Sequence, residues 1–371
     1  MATVIVIIYF ADKEISIATT TLVIGIGASP WMMKFIFGPI TDYFIRLGRK
    51  KIIIFGGILG SICLLILAFI NPTNMLIPFT ILLFISHSGT MFLDVSSDGW
   101  AIQTAKPIER GKINGAMSTG LWSGVAISSI LLTNISDIFS FEMVFIFAGI
   151  LVLLPVILPL FVKEDIIVKK RPKIASSLFF EFKKKNTILV LIFGGISAIN
   201  FGMLMLIIPD YMKNVLLLEN VHIGLIASLF PIAIVIGAIV GGLMADRYGR
   251  KISLFIFLSL LAISSISFIF VNSWEMLAIV YSLVGFIQGG SLYSSLCALY
   301  MDNTNPRVGA SQYSIFTSFS NFGEIGFAMF SGSLLVLLGY TKFFLYAAWS
   351  VGPALLVLYF IRTRKEKLNI K

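Results

Sequence analysis

Gly242-Leu-Met-Ala-Asp246-Arg247-Tyr-Gly249-Arg250-Lys251 is the stretch on which the fold turns. It is a short polar joint between two apolar runs, 221–245 and 252–271. Each run is long enough to cross a bilayer, whose hydrocarbon core of about 30 Å takes about 20 helical residues. A second copy of the joint stands earlier in the chain, as Gly38-Pro-Ile-Thr-Asp42 and then Gly48-Arg49-Lys50, at offsets of 204 and 201 residues. A weaker match pairs Pro107 with Pro306 and Gly111 with Gly309, at offsets of 199 and 198. Three matches in chain order at nearly constant offset define a duplicated unit.

Working outward from the two joints, eleven segments qualify as spans: 18–38, 52–70, 75–93 (continuing to 104), 113–134, 143–162, 187–209, 221–245, 252–271, 276–300, 308–338 and 343–361. Only helices satisfy their own backbone groups in lipid without a partner strand, so these runs read as helices. Ahead of them, residues 2–10 form an apolar stretch that reaches only about 14 Å as a helix. It carries neither a basic leading region nor a small-residue cleavage site before Asp12, so it reads as the last half of a helix rather than a signal peptide. Composition agrees with the span count: 58% of the 371 residues are hydrophobic and 12% charged, which excludes a water-soluble globule.

The net charge of +10 invites a nucleic-acid reading until the basic residues are placed. Of the 28 Lys and Arg, 24 fall in alternate loops and the tail, three (Lys13, Lys213 and Lys342) in the opposite loops, and Lys34 lies within a span. That asymmetry is the positive-inside signal of a multi-pass protein of the cell membrane with the linker and C-terminus cytoplasmic. The basic excess then faces anionic lipid headgroups, and no nucleic acid is called for. The longest polar stretch, 163–186, divides the spans into an N-terminal bundle at 1–162 and a C-terminal bundle at 187–371. Within this linker, 177–182 reads equally as an interfacial amphipathic helix or a solvated loop.

The reading is thus an all-α polytopic membrane protein of two pseudo-symmetric six-helix bundles, with eleven full spans and a partial first helix. The gapless Gly-x-x-x-Asp-Arg-x-Gly-Arg-Lys at Gly242–Lys251 resembles the signature of the major facilitator superfamily. In the first-half copy Tyr43 replaces the first Arg and three extra residues precede Gly48. Together with Pro30-Trp31-x-x-Lys34 and Asp94-Val-Ser-Ser-Asp98-Gly99-Trp100, this copy is similar to the branch containing acetyl-coenzyme A transporters and muropeptide permeases. The resemblance implies a conformational switch made of Gly38, Asp42, Gly48, Arg49 and Lys50 with Gly242, Asp246, Arg247, Gly249, Arg250 and Lys251. In it the glycine admits close helix approach, while the aspartate faces a helix N-terminus in the other half: near Val308 for Asp42 and near Ile113 for Asp246. A free helix N-terminus carries about half a positive charge, so such a contact is worth about 0.3–1 kcal/mol.

A charge within a span costs about 2.5–3.5 kcal/mol on insertion scales and marks a functional candidate. Asp94 and Asp98, four residues apart, share a helical face on which two carboxylates disfavour each other's ionisation, as a proton carrier requires. The structural alternative caps or pairs Asp98 with Lys112 or Arg110. Glu324 stands deep in its span above Thr317, Ser320 and Asn321, a polar line suited to a solute cavity or to interhelical hydrogen bonding. Lys34 can snorkel to the interface or attract an anion. Asn200, Gln288 and Trp122 are further pathway candidates, and Asp210, near the outer end of its helix, reads as interfacial.

Cys63 and Cys297 both lie in apolar runs, and His87 is the one histidine inside a span, so neither metal nor cofactor is expected. With no nucleotide-hydrolysing motif, the expected activity is not enzymatic. It is secondary active transport of a small solute by alternating access, with or without a proton, in a monomer. The rival class is a non-transporting or truncated membrane sensor or scaffold of the same fold.

Overall fold

The computed structural model describes residues 2–104, 110–164, 174–305 and 309–362, and the regular structure among them is helical throughout. The first half consists of α1 (Ala2–Asp12), α2 (Ile17–Ala28), α3 (Lys34–Tyr43), α4 (Arg49–Leu67), α5 (Leu76–Thr104), α6 (Arg110–Ile138) and α7 (Phe141–Phe161). A short α8 (Ile174–Phe182) lies in the linker. The second half follows as α9 (Lys185–Ser197), α10 (Ile199–Asn214), α11 (Asn220–Tyr248), α12 (Arg250–Ser267), α13 (Trp274–Gly290), α14 (Cys297–Asn303), α15 (Gly309–Trp349) and α16 (Val351–Phe360).

Among the described residues nine segments are long and apolar enough to cross a membrane. They match the spans read from the sequence, with two differences. The last segment, Ser311–Phe360, holds two expected spans that meet at Gly339, whose φ of 71° lets the chain reverse. The expected span 113–134 is α6, 29 residues long. Two apolar cores hold the halves. One gathers Phe10, Phe79, Leu132 and Phe145, the other Phe193, Ile234, Leu258 and Phe344. Outside them large apolar side chains stand bare, Phe161 at 84% and Leu337 at 81% exposure. In water such a surface would aggregate; against lipid it is the expected outer face.

Lipid gives helices no hydrophobic reason to associate, so close packing through small residues does that work. Helices α11 and α13 cross where Gly237 meets the Phe286 carbonyl oxygen and Gly289 meets that of Ile234. In the first half, α4 and α5 approach at Gly56, Gly60 and Gly89, and Ser86 Oγ donates to the Gly60 carbonyl at 3.0 Å.

The first full span, expected as one helix, is broken between α2 and α3 by a 3-10 turn at Ser29–Trp31. Pro30 has no N–H to continue the ladder and its ring crowds the carbonyl of Ile26. Ser29 Oγ takes over that carbonyl at 2.8 Å. The break leaves backbone groups of α3 and of Trp31 without helical partners, and they find partners on α15. A second irregularity is a π-helical stretch, Ser291–Leu296, between α13 and α14, a geometry that recurs at functional sites.

Candidate functional site

The break in the first span sets the site. Lys34 opens α3 and turns its side chain toward α5, where Nζ donates to Asp94 Oδ2 at 2.8 Å and to Asp98 Oδ2 at 3.2 Å. The side chains are only 20%, 29% and 38% exposed. Asp94 and Asp98 share a face of α5 because they are one turn apart, so a single ammonium group reaches both. Lys34 is therefore held by two carboxylates, where the sequence offered snorkelling as the structural explanation.

One turn earlier, Trp31 Nε1 donates to His87 Nδ1 at 3.1 Å. An accepting Nδ1 carries no proton, so the imidazole is neutral with its proton on Nε2. The groups freed by the break pair across the two halves: Asn321 Nδ2 donates to the Trp31 carbonyl at 2.9 Å, and the Phe35 N–H donates to Ser318 Oγ at 3.1 Å. At the other end of the same pair of helices the Gly332 N–H donates to Thr21 Oγ1 at 3.2 Å. The broken helix and α15 thus stay in contact from Ser318 to Gly332 of α15.

A second cluster joins the two halves. Trp122 of α6 and Tyr293 of the π segment meet edge to face, centroids 4.8 Å apart, and Phe201 of α10 lies 6.3 Å from Tyr293. Glu324 of α15 passes its backbone against Gly202, next to Phe201, and its carboxylate lies within electrostatic reach of Tyr293. Among the described residues that carboxylate has no hydrogen-bond or ion-pair partner. Ser320, one turn before it, is engaged with the Tyr300 hydroxyl at 2.5 Å.

Asn200 sits elsewhere. At 1% exposure its Nδ2 donates to Ser265 Oγ at 2.9 Å and to the Ala347 carbonyl at 2.7 Å, binding α10 to α12 and α15. Gln288 is fully buried with neither amide atom partnered among the described residues, directly before the π segment. Asp210, expected at the interface, is only 4% exposed. It accepts from Tyr340 Oη at 2.6 Å and from Asn214 Nδ2 at 2.7 Å beside a cleft of about 530 Å³. Nearby, Lys213 pairs with Asp12 at 3.0 Å and ties α10 to α1.

The duplicated joint builds a matching brace in each half. Gly48 and Gly249 have φ of 88° and 98°, values at which a side chain would strain the backbone, and each starts a helix. Lys50 Nζ then donates to the carbonyls of Leu160 at 3.1 Å and Val162 at 3.4 Å, ending α7. Lys251 Nζ does the same for Tyr359 at 2.9 Å and Ile361 at 3.2 Å, ending α16. Such lysines neutralise the negative end of a helix.

In the first half Glu164 completes the brace, accepting from the N–H groups of Arg49 at 2.6 Å and Lys50 at 3.0 Å. Glu164→Gln is expected to lower stability by about 1 kcal/mol, because a charged cap on a helix N-terminus is replaced by a neutral one; thermal unfolding in detergent measures it.

In the second half Asp246 pairs with Arg250, whose Nε also reaches Asp302 at 3.4 Å. The Asp246 side chain is 74% exposed, and its partner Arg250 opens the next helix, α12. Arg247 lies over the Tyr248 ring. A methyl on Gly38 would meet nothing within 4 Å, whereas one on Gly242 would meet Ser294 Oγ at 3.1 Å. The Asp42 side chain, Lys106, Val308 and the side chains of Arg110, Lys112 and Ile113 lie outside the described residues.

The family model of the Major Facilitator Superfamily matches residues 1–197 and again 190–371. The chain belongs to that superfamily and is a secondary transporter, a multi-pass membrane protein. AmpG 2 of Rickettsia typhi, which carries a transporter's name, is 25% identical over 90% of this chain and 85% of its own. AmpG 1 of Rickettsia bellii is 26% identical over 97% of this chain and 93% of its own. Among solved structures, a D-xylose-proton symporter superposes with a TM-score of 0.78 at 16% identity, over 98% of this chain and 95% of that one. The nucleoside transporter NupG also gives 0.78, at 15% identity over 97% and 94%. At such identities these two bear on the fold alone.

Proposed function

We propose that the chain carries a small, ring-bearing polar solute in company with a proton, acting as a monomer with its linker and C-terminus in the cytoplasm and catalysing no reaction. The observation that carries this reading is one lysine shared by two carboxylates inside a bundle. Lys34, Asp94 and Asp98 together hold one excess negative charge where an unpaired charge is costly, and Glu324 adds another. A proton is the smallest species that relieves such an excess, and it can be taken up on one side and released on the other as the halves rock.

The solute class follows from the second cluster. The crossed rings of Trp122 and Tyr293 offer flat apolar faces, and Glu324 offers an acceptor, a combination that suits a sugar ring with its apolar faces and hydroxyl rim. The D-xylose and nucleoside carried by the two structural neighbours are solutes of this kind.

Uptake into sealed vesicles, with a solute selected by thermal stabilisation of the purified protein, tests the coupling. Accumulation is expected to collapse with an uncoupler and in Asp94→Asn and Glu324→Gln, while exchange of solute down its own gradient persists. Full accumulation under all three conditions would end the proposal. A reporter fused at Lys170 is expected on the cytoplasmic side, and its appearance outside would reverse the threading.

A further inference from the structure

The linker helix presents a surface with chemistry unlike that of the candidate pathway. Helix α8 is held to the second half by its last two residues. Glu181, 7% exposed, accepts from Asn305 Nδ2 at 2.7 Å and Lys184 Nζ at 2.6 Å, and the Phe182 ring packs 5.9 Å from Phe316 of α15. Burial raises the Glu181 carboxyl, but the hydrogen bonds from Lys184 and Asn305 outweigh it and hold the group below the usual carboxylate range. The latch is therefore charged at neutral pH. From Asn305 the contacts continue to α15: its N–H donates to Gln312 Oε1 at 2.9 Å, and Gln312 Nε2 donates to the Asn303 carbonyl at 3.1 Å.

With one side of α8 committed, two of its described side chains stand out on the other. Phe179 and Phe180 are 61% and 65% exposed. Lys183 Nζ lies 4.3 Å from the centre of the Phe179 ring and 5.9 Å from that of Phe180. Lys184 is 60% exposed, and Lys185 begins a membrane span. Two exposed aromatic rings under a lysine, six and five residues before a helix enters lipid, fall within reach of the headgroups. There rings settle at the acyl boundary and ammonium groups meet phosphates.

We infer that this face of α8 is a docking site for anionic phospholipid, with Phe179 and Phe180 in the acyl boundary and Lys183 on the headgroup phosphate. Charge decides the occupant. A run of three lysines beside two uncovered rings matches a negatively charged bilayer surface, to which each basic residue near the headgroups adds attraction. Because Glu181 and Phe182 tie α8 to Asn305 and Phe316, a lipid held on the outer face steadies the start of α15, the helix that carries Ser318, Asn321 and Glu324.

The inference rests on the linker lying at a membrane surface and not on proton coupling. Nanodiscs present the same lipid on both faces, so its test is independent of threading as well. Phe180→Trp in discs of brominated phosphatidylglycerol is expected to lose most of its added emission, taken as the difference from the unsubstituted protein with its five native tryptophans. In discs of brominated phosphatidylcholine that emission should be largely spared. Lys183→Gln in the same chain should weaken the preference for the anionic lipid about fivefold. Phe179→Trp serves as a second reporter should the first fold poorly. Unquenched emission in both lipids would mean that the face meets water, and equal quenching in both would mean apolar contact without headgroup choice. Either result overturns the inference.

Discussion

Gly237→Leu is expected to yield no monodisperse folded protein. The Cβ of any larger residue there would fall on the Phe286 carbonyl oxygen, and that atom belongs to helix backbone that cannot swing aside. To admit four carbons, α11 and α13 must part along their whole crossing, which also opens the contacts of Gly241 with Gly290 and of Gly289 with Ile234. Overpacking of this kind costs about 3 kcal/mol, and in lipid no hydrophobic force draws the parted helices back together. Size-exclusion profiles of a fluorescent fusion in detergent measure the outcome. Gly120→Ala is the control: a methyl there meets nothing within 4 Å, and the profile should not change. A normal profile for Gly237→Leu would mean that α11 and α13 are not packed as described.

Lys34→Met is expected to destabilise the first half by about 2 kcal/mol, below the 3–5 kcal/mol of a fully buried pair because the three side chains retain some exposure. Removing the ammonium leaves Asp94 and Asp98 as neighbouring carboxylates with two uncompensated charges. The sign of the rescue separates charge from packing. Lys34→Met combined with Asp94→Asn and Asp98→Asn should recover most of the lost stability, since no charge is then left unpaired. If the triple variant melts as low as the single one, Lys34 matters for its stem and not for its charge. Proton-driven accumulation should stay absent in the triple variant although it folds, because the carboxylates are gone.

Spans, repeat and the polar joint were legible because each is a property of neighbouring residues. Hydrophobic length needs only a window, and the offsets between Asp42 and Asp246 need only counting. What could not be read were pairings between distant segments at equal depth. Lys34 lies 60 and 64 residues from its two carboxylates, and no local pattern distinguishes a lysine that snorkels from one that is caged. Asp210 reads as interfacial from its place near the end of its helix, and the sequence does not show that it is buried there against Tyr340, 130 residues onward.

Asn321 belongs to a polar line that reads either as cavity lining or as interhelical hydrogen bonding, and its partner is a backbone carbonyl released by a break at Pro30. The proline was visible, but which helix would answer it was not. Trp31 with His87, Glu164 at the start of α4 and Asp302 beside Arg250 were missed for the same reason. Their one sequence-level hint is a polar residue at or near the end of an apolar run.

Lys50 and Lys251 close each bundle into a hoop, since a lysine in the first turn of its third span grips the tail of its sixth. A bundle so fastened turns as one piece. Paired spin labels set within a single bundle should therefore report one separation throughout the cycle, whereas a pair straddling α2 and α15 should report two.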